Sequence, residues 1–290
     1  MNSNQQSTFI QYARQLAALS VIPAMLLLLI MPAGDANAGE LTPEPPGKHQ
    51  EPGSQYATSA KTRLIGYSVE QRPLVVYQFG DGDTKRMIVA GIHGGYEWNT
   101  IALANKLIAF LEKNPGVVPE HLTLYILPAL NPDGEAASHG YEGRANANGV
   151  DLNRNFPSDW QAAWETAGCW DYLPIGGGPY PLSESEARAL AKFLLQEHVE
   201  ALISYHSAAL GIFPGGFPPD PGSLSLAEAI SRVTDYPYPP LNTGCEYTGM
   251  LADFASDNGI HAVDVELTTH DSLDYETNLR VLLTFLSWRP

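Results

Sequence analysis

The chain has 290 residues, of which 44% are hydrophobic and 17% are charged. This composition provides enough apolar material for a large core and excludes a disordered polypeptide. The formal net charge of −16 argues against nucleic acid as a partner, because an acidic surface repels phosphate backbones, and the two cysteines exclude a cysteine-rich zinc cluster.

The N-terminal segment has the pattern of an export signal. Arg14 is the only charge before an apolar stretch at 16–31, and small residues at 36–38 (ANA) occupy the positions that a signal peptidase reads. We therefore expect residues 1–38 to be a signal peptide and the protein to be exported, periplasmic or secreted. An uncleaved membrane anchor is the alternative. Residues 39–60 are rich in Pro, Gly and Ser, which predicts a flexible linker.

From residue 64 onward, short apolar runs alternate with helical patterns. Strands are predicted at 74–79, 87–92, 122–127, 201–205 and 262–265. Helices are predicted at 101–111, at 183–194 behind a capping box of Ser183 and Glu186, and at 279–286. This alternation favours an α/β fold: a single domain over residues 61–290, with a mostly parallel, twisted mixed sheet and helices on both faces.

Candidate catalytic groups follow three of the predicted strands. His93 follows the second strand, His206 the fourth and Glu266 the fifth, and Glu97 stands at the start of the helix after His93. Ligand sites of open α/β sheets lie at the carboxyl ends of the strands, and two imidazoles with one carboxylate are the protein ligands of a catalytic zinc. Taken singly, each residue also fits a structural role. The remaining histidines lack this context: His49, His121, His139, His198, His261 and His270.

Five short motifs occur in one order along the chain: GIHGGYEW at 91–98, NPDG at 131–134, DLNRNF at 151–156, SYHS at 204–207 and VEL at 265–267. In this order they resemble motifs of the carboxypeptidase A-like family of zinc metallocarboxypeptidases, over about 64–290. The resemblance implies one Zn²⁺ per chain, held by His93, Glu97 and His206. It also implies that Glu266 is the general base, which takes a proton from a zinc-activated water.

The first motif departs from the family pattern. The family usually places two residues between the first histidine and the glutamate, whereas Gly94, Gly95 and Tyr96 stand between them here. Adjacent glycines can adopt backbone conformations that are forbidden to other residues, so a tight turn can absorb the additional residue. We therefore keep Glu97 as a predicted ligand.

The resemblance assigns roles to five further residues. Asn153 and Arg154 match residues that bind the terminal carboxylate of a peptide, an anion that suits an arginine fork. Arg144 matches the arginine that stabilises the oxyanion, with a surface arginine as the alternative. Asp151 matches the carboxylate behind the first histidine, or else caps a local turn. Tyr247 is the candidate for the tyrosine that covers the substrate, or is a packed aromatic.

The specificity pocket is expected to include residues 249–253. Leu251 near the deciding position would favour apolar or neutral side chains, whereas an inward-pointing Asp253 would hold an amine, as on lysine or diaminopimelate. The sequence does not decide between them.

The implied function is a zinc-dependent metallocarboxypeptidase that hydrolyses the C-terminal peptide bond. A murein peptide amidase that cleaves γ-D-glutamyl–diaminopimelate bonds, a deacylase of N-acyl amino acids, and a non-catalytic zinc- or peptide-binding relative are the alternatives. We expect a peptide or murein-peptide substrate, a monomer, no nucleic-acid partner and no stable membrane association after signal cleavage. Export would permit a disulfide between Cys169 and Cys245.

Overall fold

The computed structural model describes residues 60–162, 170, 172–242, 244–245 and 247–290. The predicted signal peptide and nearly all of the predicted linker lie outside these residues, so both stay predictions. Across the part of the chain that is described, no helix is both long enough and apolar enough to cross a bilayer.

The described residues form seven strands and, among them, six α-helices. The strands are β1 (Lys61–Tyr67), β2 (Pro73–Phe79), β3 (Thr84–Val89), β4 (Leu122–Leu127), β5 (Ala201–Ser207), β6 (Ile212–Pro214) and β7 (His261–Leu267). The helices are α1 (Trp98–Lys113), α2 (Pro132–Ala137), α3 (Ser185–Glu197), α4 (Pro221–Ser231), α5 (Leu251–Asp257) and α6 (Tyr275–Ser287).

The strands form one mixed sheet in the order β1-β2-β4-β3-β5-β7-β6. The central strands β4, β3, β5 and β7 are parallel neighbours, whereas β1, β2 and β6 pair antiparallel at the two edges. Every residue of β4 and β5 is buried, as is typical of parallel strands that are covered on both faces. The predicted α/β fold with a mixed sheet is confirmed.

The hydrophobic core lies in two layers, one on each face of the sheet. On β7, Val263 and Val265 pack in the layer that contains residues of α1, α4 and α6. Ala262 packs in the other layer, with residues of α3 and α5. Because alternate strand residues point to opposite faces, Asp264 and Glu266 lie on the same face as Ala262.

The bounds of one strand and the cap of one helix differ from the predictions. The strand expected at 87–92 is β3, Thr84–Val89, and the chain leaves it through Gly91 at φ +59°. The capping box expected at the start of α3 does not form: the helix begins at Ser185, and Glu184 at its N-cap makes no side-chain capping bond. Glu186 instead accepts a hydrogen bond from the amide of Val69.

Candidate active site

A cleft of about 380 Å³ opens at the carboxyl ends of β3, β5 and β7. This is the edge at which parallel α/β sheets bind their ligands. Most of the residues singled out from the sequence line it: His93, Glu97, Arg144, Asn153, Arg154, His206, Tyr247 and Glu266. The structure therefore brings together groups that lie up to 173 positions apart in the chain.

His93, Glu97 and His206 form a compact buried cluster in this cleft. Each offers a ligand atom, and these atoms all lie within 4.8 Å of one another. The Nδ1 of His93 is 2.7 Å from Glu97 Oε1, the Nδ1 of His206 is 3.3 Å from Glu97 Oε2, and the two Nδ1 atoms are 3.4 Å apart. Two ring nitrogens and a carboxylate thus face one common point.

The additional residue between His93 and Glu97 is absorbed by a 3₁₀ turn, Gly94–Glu97. Gly94 has φ +48°, a left-handed conformation that favours glycine. A Cβ added at Gly95 would lie only 2.1 Å from the carbonyl oxygen of Ser138. Both glycines are therefore required for the turn that brings the Glu97 carboxylate to His93.

Hydrogen-bond partners behind the two rings fix their orientation. The Nε2 of His93 lies 3.1 Å from Asp151 Oδ1, and the Nε2 of His206 lies 2.9 Å from Ser204 Oγ. Asp264 Oδ1 is 3.6 Å from the same Nε2 of His206. Acceptors at Nε2 favour the tautomer that leaves the lone pair of Nδ1 directed at the cluster, as in metal-ligating histidines.

The cluster fits a divalent cation. Glu97 Oε2 is buried and makes no hydrogen bond within the described part of the chain. Burial alone would raise the pKa of Glu97, but the imidazoles of His93 and His206 outweigh it and lower the pKa, so the carboxylate is ionised. A donor set of two imidazoles and one carboxylate is that of a catalytic zinc, which keeps its fourth position open.

Asp151 lies directly behind His93 and is fully buried. Its Oδ1 also accepts a hydrogen bond of 2.9 Å from the amide of Asn153, and its Oδ2 accepts one of 2.9 Å from Nε of Arg144. Burial would raise the pKa of Asp151, but the charges of Arg144 and His93 hold it well below its usual range. Asp151 therefore makes both contacts that the sequence left as alternatives, one to His93 and one that caps a turn.

Arg144 is buried rather than on the surface, with 5% of its area exposed. Nη2 forms an ion pair with Asp151 Oδ2 at 2.9 Å, and Nη1 lies 3.6 Å from Glu97 Oε1. Its guanidinium carbon lies 4.8 Å from the centroid of the Trp170 ring. The arginine is therefore held beside the metal cluster by both charge and an aromatic face.

Asn153 and Arg154 occupy the side of the cleft next to His206. Asn153 Oδ1 accepts a hydrogen bond of 2.9 Å from the amide of Leu251, and Asn153 Nδ2 is 3.5 Å from Nε2 of His206. Arg154 Nη1 donates to the carbonyl of Asn153 at 2.7 Å, and the guanidinium lies 5.1 Å from the centroid of the Tyr247 ring. A cation and an amide donor thus stand beside the metal cluster, where a substrate carboxylate can bind.

Glu266 faces the same cleft from β7. Its Cα pairs with that of His206 in the parallel register of β5 and β7, and its Oε2 accepts a hydrogen bond of 2.9 Å from the amide of Ala209. Burial raises the pKa of Glu266 to about 7, against the opposing charge of His206. A carboxyl group with a pKa in this range can accept and release a proton near neutral pH.

One histidine and one aspartate that line the cleft were not predicted as site residues from the sequence. His270 faces Ser207 Oγ at 3.1 Å and contacts the ring of Tyr96, with 4.5 Å between ring centroids. Asp264 was detectable, because a residue two positions before Glu266 in a strand shares its face. His270 follows the end of β7 by three residues, a position that sequence reasoning could have noted.

Leu251 does not line the cleft, so the prediction that it forms part of the specificity pocket is wrong. It is fully buried at the start of α5 in the hydrophobic core, and Met250 lines the cleft instead. Asp253 accepts a hydrogen bond of 2.7 Å from the amide of Gly216.

Cys245 is disulfide-bonded, and the only other cysteine of the sequence, Cys169, lies outside the described residues.

The fold and this site define a metallohydrolase with its cleft at the end of a mixed sheet. The model of the zinc carboxypeptidase family matches residues 50–275, and the chain belongs to this family. The resemblance inferred from the five motifs is thereby confirmed.

Individual relatives are more distant. Mast cell carboxypeptidase A of Rattus norvegicus is 29% identical over 238 residues, which cover 70% of this chain and 57% of the rat protein. Murein peptide amidase A of Escherichia coli K12 is 28% identical over 211 residues, which cover 70% of this chain and 80% of the amidase. The crystal structure of a murein-tripeptide amidase from Escherichia coli O157 has a TM-score of 0.60 at 24% identity, over 82% of this chain and 97% of that one.

Proposed function

We propose that this protein is a zinc-dependent carboxypeptidase that hydrolyses the C-terminal peptide bond of its substrate. One observation carries the proposal: the ligand cluster of His93, Glu97 and His206 shares a single cleft with the paired donors Asn153 and Arg154. The first set of residues holds one Zn²⁺ and the second binds the free carboxylate of the substrate. Together they select the last peptide bond of a chain.

Binding of the terminal carboxylate positions the substrate. Arg154 supplies a bidentate cation and Asn153 an amide donor for this carboxylate. Tyr247 lies against Arg154 and covers the bound residue. The scissile carbonyl then lies beside the metal cluster, with Nη1 of Arg144 directed at its developing negative charge.

Glu266 moves the proton in this scheme. Zinc, when bound, polarises the carbonyl and lowers the pKa of a water molecule, which makes that water a nucleophile near neutral pH. The Glu266 carboxylate takes the proton of this water and passes it to the departing amine. Its buried position opposite His206 and its raised pKa both support this role.

Substitution of the base separates chemistry from metal binding. Glu266→Gln keeps the size of the side chain, so we expect stoichiometric zinc with kcat lowered by about 10²- to 10⁴-fold. Glu228→Gln, at an exposed position of α4, is the matched control and should leave kcat unchanged. Undiminished hydrolysis by the Glu266 variant at full zinc content would remove Glu266 from the mechanism.

Cleavage of murein peptides is the second candidate function. This function is supported by the extent of the match, because the aligned residues cover 80% of the Escherichia coli murein peptide amidase but only 57% of the rat carboxypeptidase. The two functions differ in the bond attacked, a C-terminal α-peptide bond or a γ-D-glutamyl–diaminopimelate bond. Rates on a blocked dipeptide and on a murein tripeptide, measured side by side, distinguish them.

We also propose that the protein is exported and acts in the periplasm or outside the cell. The apolar stretch at 16–31 with small residues at 36–38, and the disulfide-bonded Cys245, support this location because disulfides persist in oxidising compartments. N-terminal sequencing of protein expressed from the full chain should give a first residue of Gly39. An intact N-terminus on the purified protein would contradict cleavage.

A further inference from the structure

A second groove lies between α3 and the edge strand β1. It has a volume of about 560 Å³ and shares no lining residue with the active-site cleft. Small-molecule sites have volumes of about 300–1,000 Å³, so the groove is large enough for such a ligand. Ten residues of β1, α3, α5 and the turn before α3 line it, among them Tyr67, Leu195 and Phe254.

The walls of this groove are mostly apolar and partly open to solvent. Tyr67 is 48% exposed and Leu195 is 44% exposed. Between them, β1 and α3 approach closely through small residues, because a Cβ added at Gly66 would lie 2.7 Å from the Cβ of Ala189. Exposed apolar surface that is bordered by polar residues is typical of an interaction site.

Two cations, Arg188 and Lys192, also line the groove. They lie four residues apart on α3 and therefore share one face of the helix. Nη1 of Arg188 donates hydrogen bonds to the carbonyls of Leu182 at 2.9 Å and Ser183 at 2.6 Å, which hold the guanidinium in place. Within the described part of the chain, neither cation forms an ion pair with a carboxylate.

An apolar groove with two uncompensated cations suits an anion that carries an aliphatic chain. The formal net charge of the protein is −16, so its surface as a whole repels a bilayer of anionic lipids. The ten residues that line the groove are fewer than the roughly 20–30 residues that each side of a stable protein interface contributes. A single amphiphilic molecule therefore fits the groove better than a membrane or a partner protein does.

We propose that this groove binds a free long-chain carboxylate. The head group lies at Arg188 and Lys192, where two cations on one helix face can share a single carboxylate. The aliphatic chain lies along Tyr67, Leu195 and Phe254. The site is independent of the proposed hydrolase function, because the groove and the cleft have no lining residue in common.

The first test varies the ligand. Calorimetry on the zinc-loaded protein compares dodecanoate, decanoate and dodecyltrimethylammonium, each below its critical micelle concentration. Dodecanoate should bind about 10-fold more tightly than decanoate, because each buried CH₂ group contributes about three- to fourfold in affinity. It should also bind at least about 10-fold more tightly than the cationic amphiphile, whose charge is repelled at two positions. Equal affinities for dodecanoate and the cationic amphiphile would overturn the proposal.

The second test varies the groove. Lys192→Glu should weaken dodecanoate binding by about 3- to 30-fold, whereas Lys113→Glu, at an exposed position of α1, should not. Leu195→Gln should weaken it by about 3- to 10-fold, since part of an apolar wall is lost. Leu283→Gln is the matched control, because Leu283 on α6 is also 44% exposed. Unchanged affinities in both groove variants would contradict the proposed site.

Anomalous diffraction locates the ligand without any substitution. The active-site cleft is the competing site for a carboxylate, because it contains Arg154 and the metal cluster. In crystals soaked with 12-bromododecanoate, the bromine peak should lie in the groove between α3 and β1. A bromine peak only in the cleft, or none at all, would overturn the proposal. Binding to vesicles of anionic lipid with no binding of free dodecanoate would overturn it as well, in favour of a membrane surface.

Discussion

Asp151→Asn is the substitution that best tests how the chain supports its metal cluster. The wild-type carboxylate is fully buried and joins His93 Nε2, the amide of Asn153 and the guanidinium of Arg144 through contacts of 2.9 to 3.1 Å. Asparagine preserves the shape but removes the charge and replaces one acceptor oxygen with a donor. The variant therefore removes the nearer counter-charge of the buried Arg144 and leaves it only the carboxylate of Glu97, 3.6 Å from Nη1.

Two effects of different size follow. Loss of the partner behind a ligating histidine typically lowers metal affinity by about 10- to 100-fold. Removal of one member of a buried ion pair costs about 3–5 kcal/mol of folding free energy. We expect the low end of this range, because the amide oxygen of Asn can still accept one hydrogen bond.

Asp133→Asn is the matched control. Asp133 is a buried carboxylate as well, and it accepts hydrogen bonds from Ser68 Oγ at 2.6 Å, from the amide of Glu70 at 2.9 Å and from Arg72 at 2.6 Å. Urea denaturation gives the stability of each variant, and competition with a chromophoric chelator gives its zinc affinity. Both variants should be destabilised, but only Asp151→Asn should bind zinc more weakly. Equal zinc affinities in the two variants would refute the role of Asp151.

Two further predictions concern other parts of the molecule. The hydrogen bond from Arg63 at 2.6 Å lowers the pKa of Glu197 to about 2. This pair therefore stabilises the fold at pH values above the pKa of Glu197 in the unfolded chain, and the stabilisation is lost as the pH falls from about 4.5 to 2. Glu197→Gln should lower the free energy of unfolding by about 1 kcal/mol at pH 7. In acid titrations, the free energy of unfolding of this variant should change less across that pH window than that of the wild type. An unchanged profile would contradict this prediction. Gly95→Ala places a Cβ 2.1 Å from the carbonyl oxygen of Ser138, so it should lower the free energy of unfolding by about 1–3 kcal/mol and weaken zinc binding. Gly116→Ala is the control, because a Cβ at Gly116 meets nothing within 4 Å and should have neither effect. A thermal melt with and without zinc compares the two glycine variants, and equal melting temperatures would contradict the close approach at Gly95.

Elements that are buried on both faces were predictable from the sequence. The predicted strand 122–127 has the same bounds as β4, in which every residue is buried and all but Thr123 pack in one of the two hydrophobic layers. β1 was missed because its residues are mostly exposed at the edge of the sheet, and β6 because it has only three residues. Helix α4 was missed despite a readable signal, since Asp220 caps it and Pro221 is its first residue.

The site was predictable only in part. The five motifs indicated the residues that the structure gathers in one cleft, although the positions of the cluster atoms depend on strand order and register. Asp264 could be placed on the same face as Glu266 from the alternation along β7, but its closeness to His206 depends on the parallel pairing of β5 with β7. The two adjacent glycines predicted that a tight turn absorbs the longer spacing between His93 and Glu97, and the structure shows this turn with Gly94 in the left-handed conformation.

The metal site is the foundation of this account, and anomalous diffraction at the zinc absorption edge tests it directly. Crystals of the protein with equimolar zinc should show one strong peak about 2.0–2.2 Å from the Nδ1 atoms of His93 and His206 and from a carboxylate oxygen of Glu97. Zinc bound at other residues, with no density at this cluster, would contradict the account.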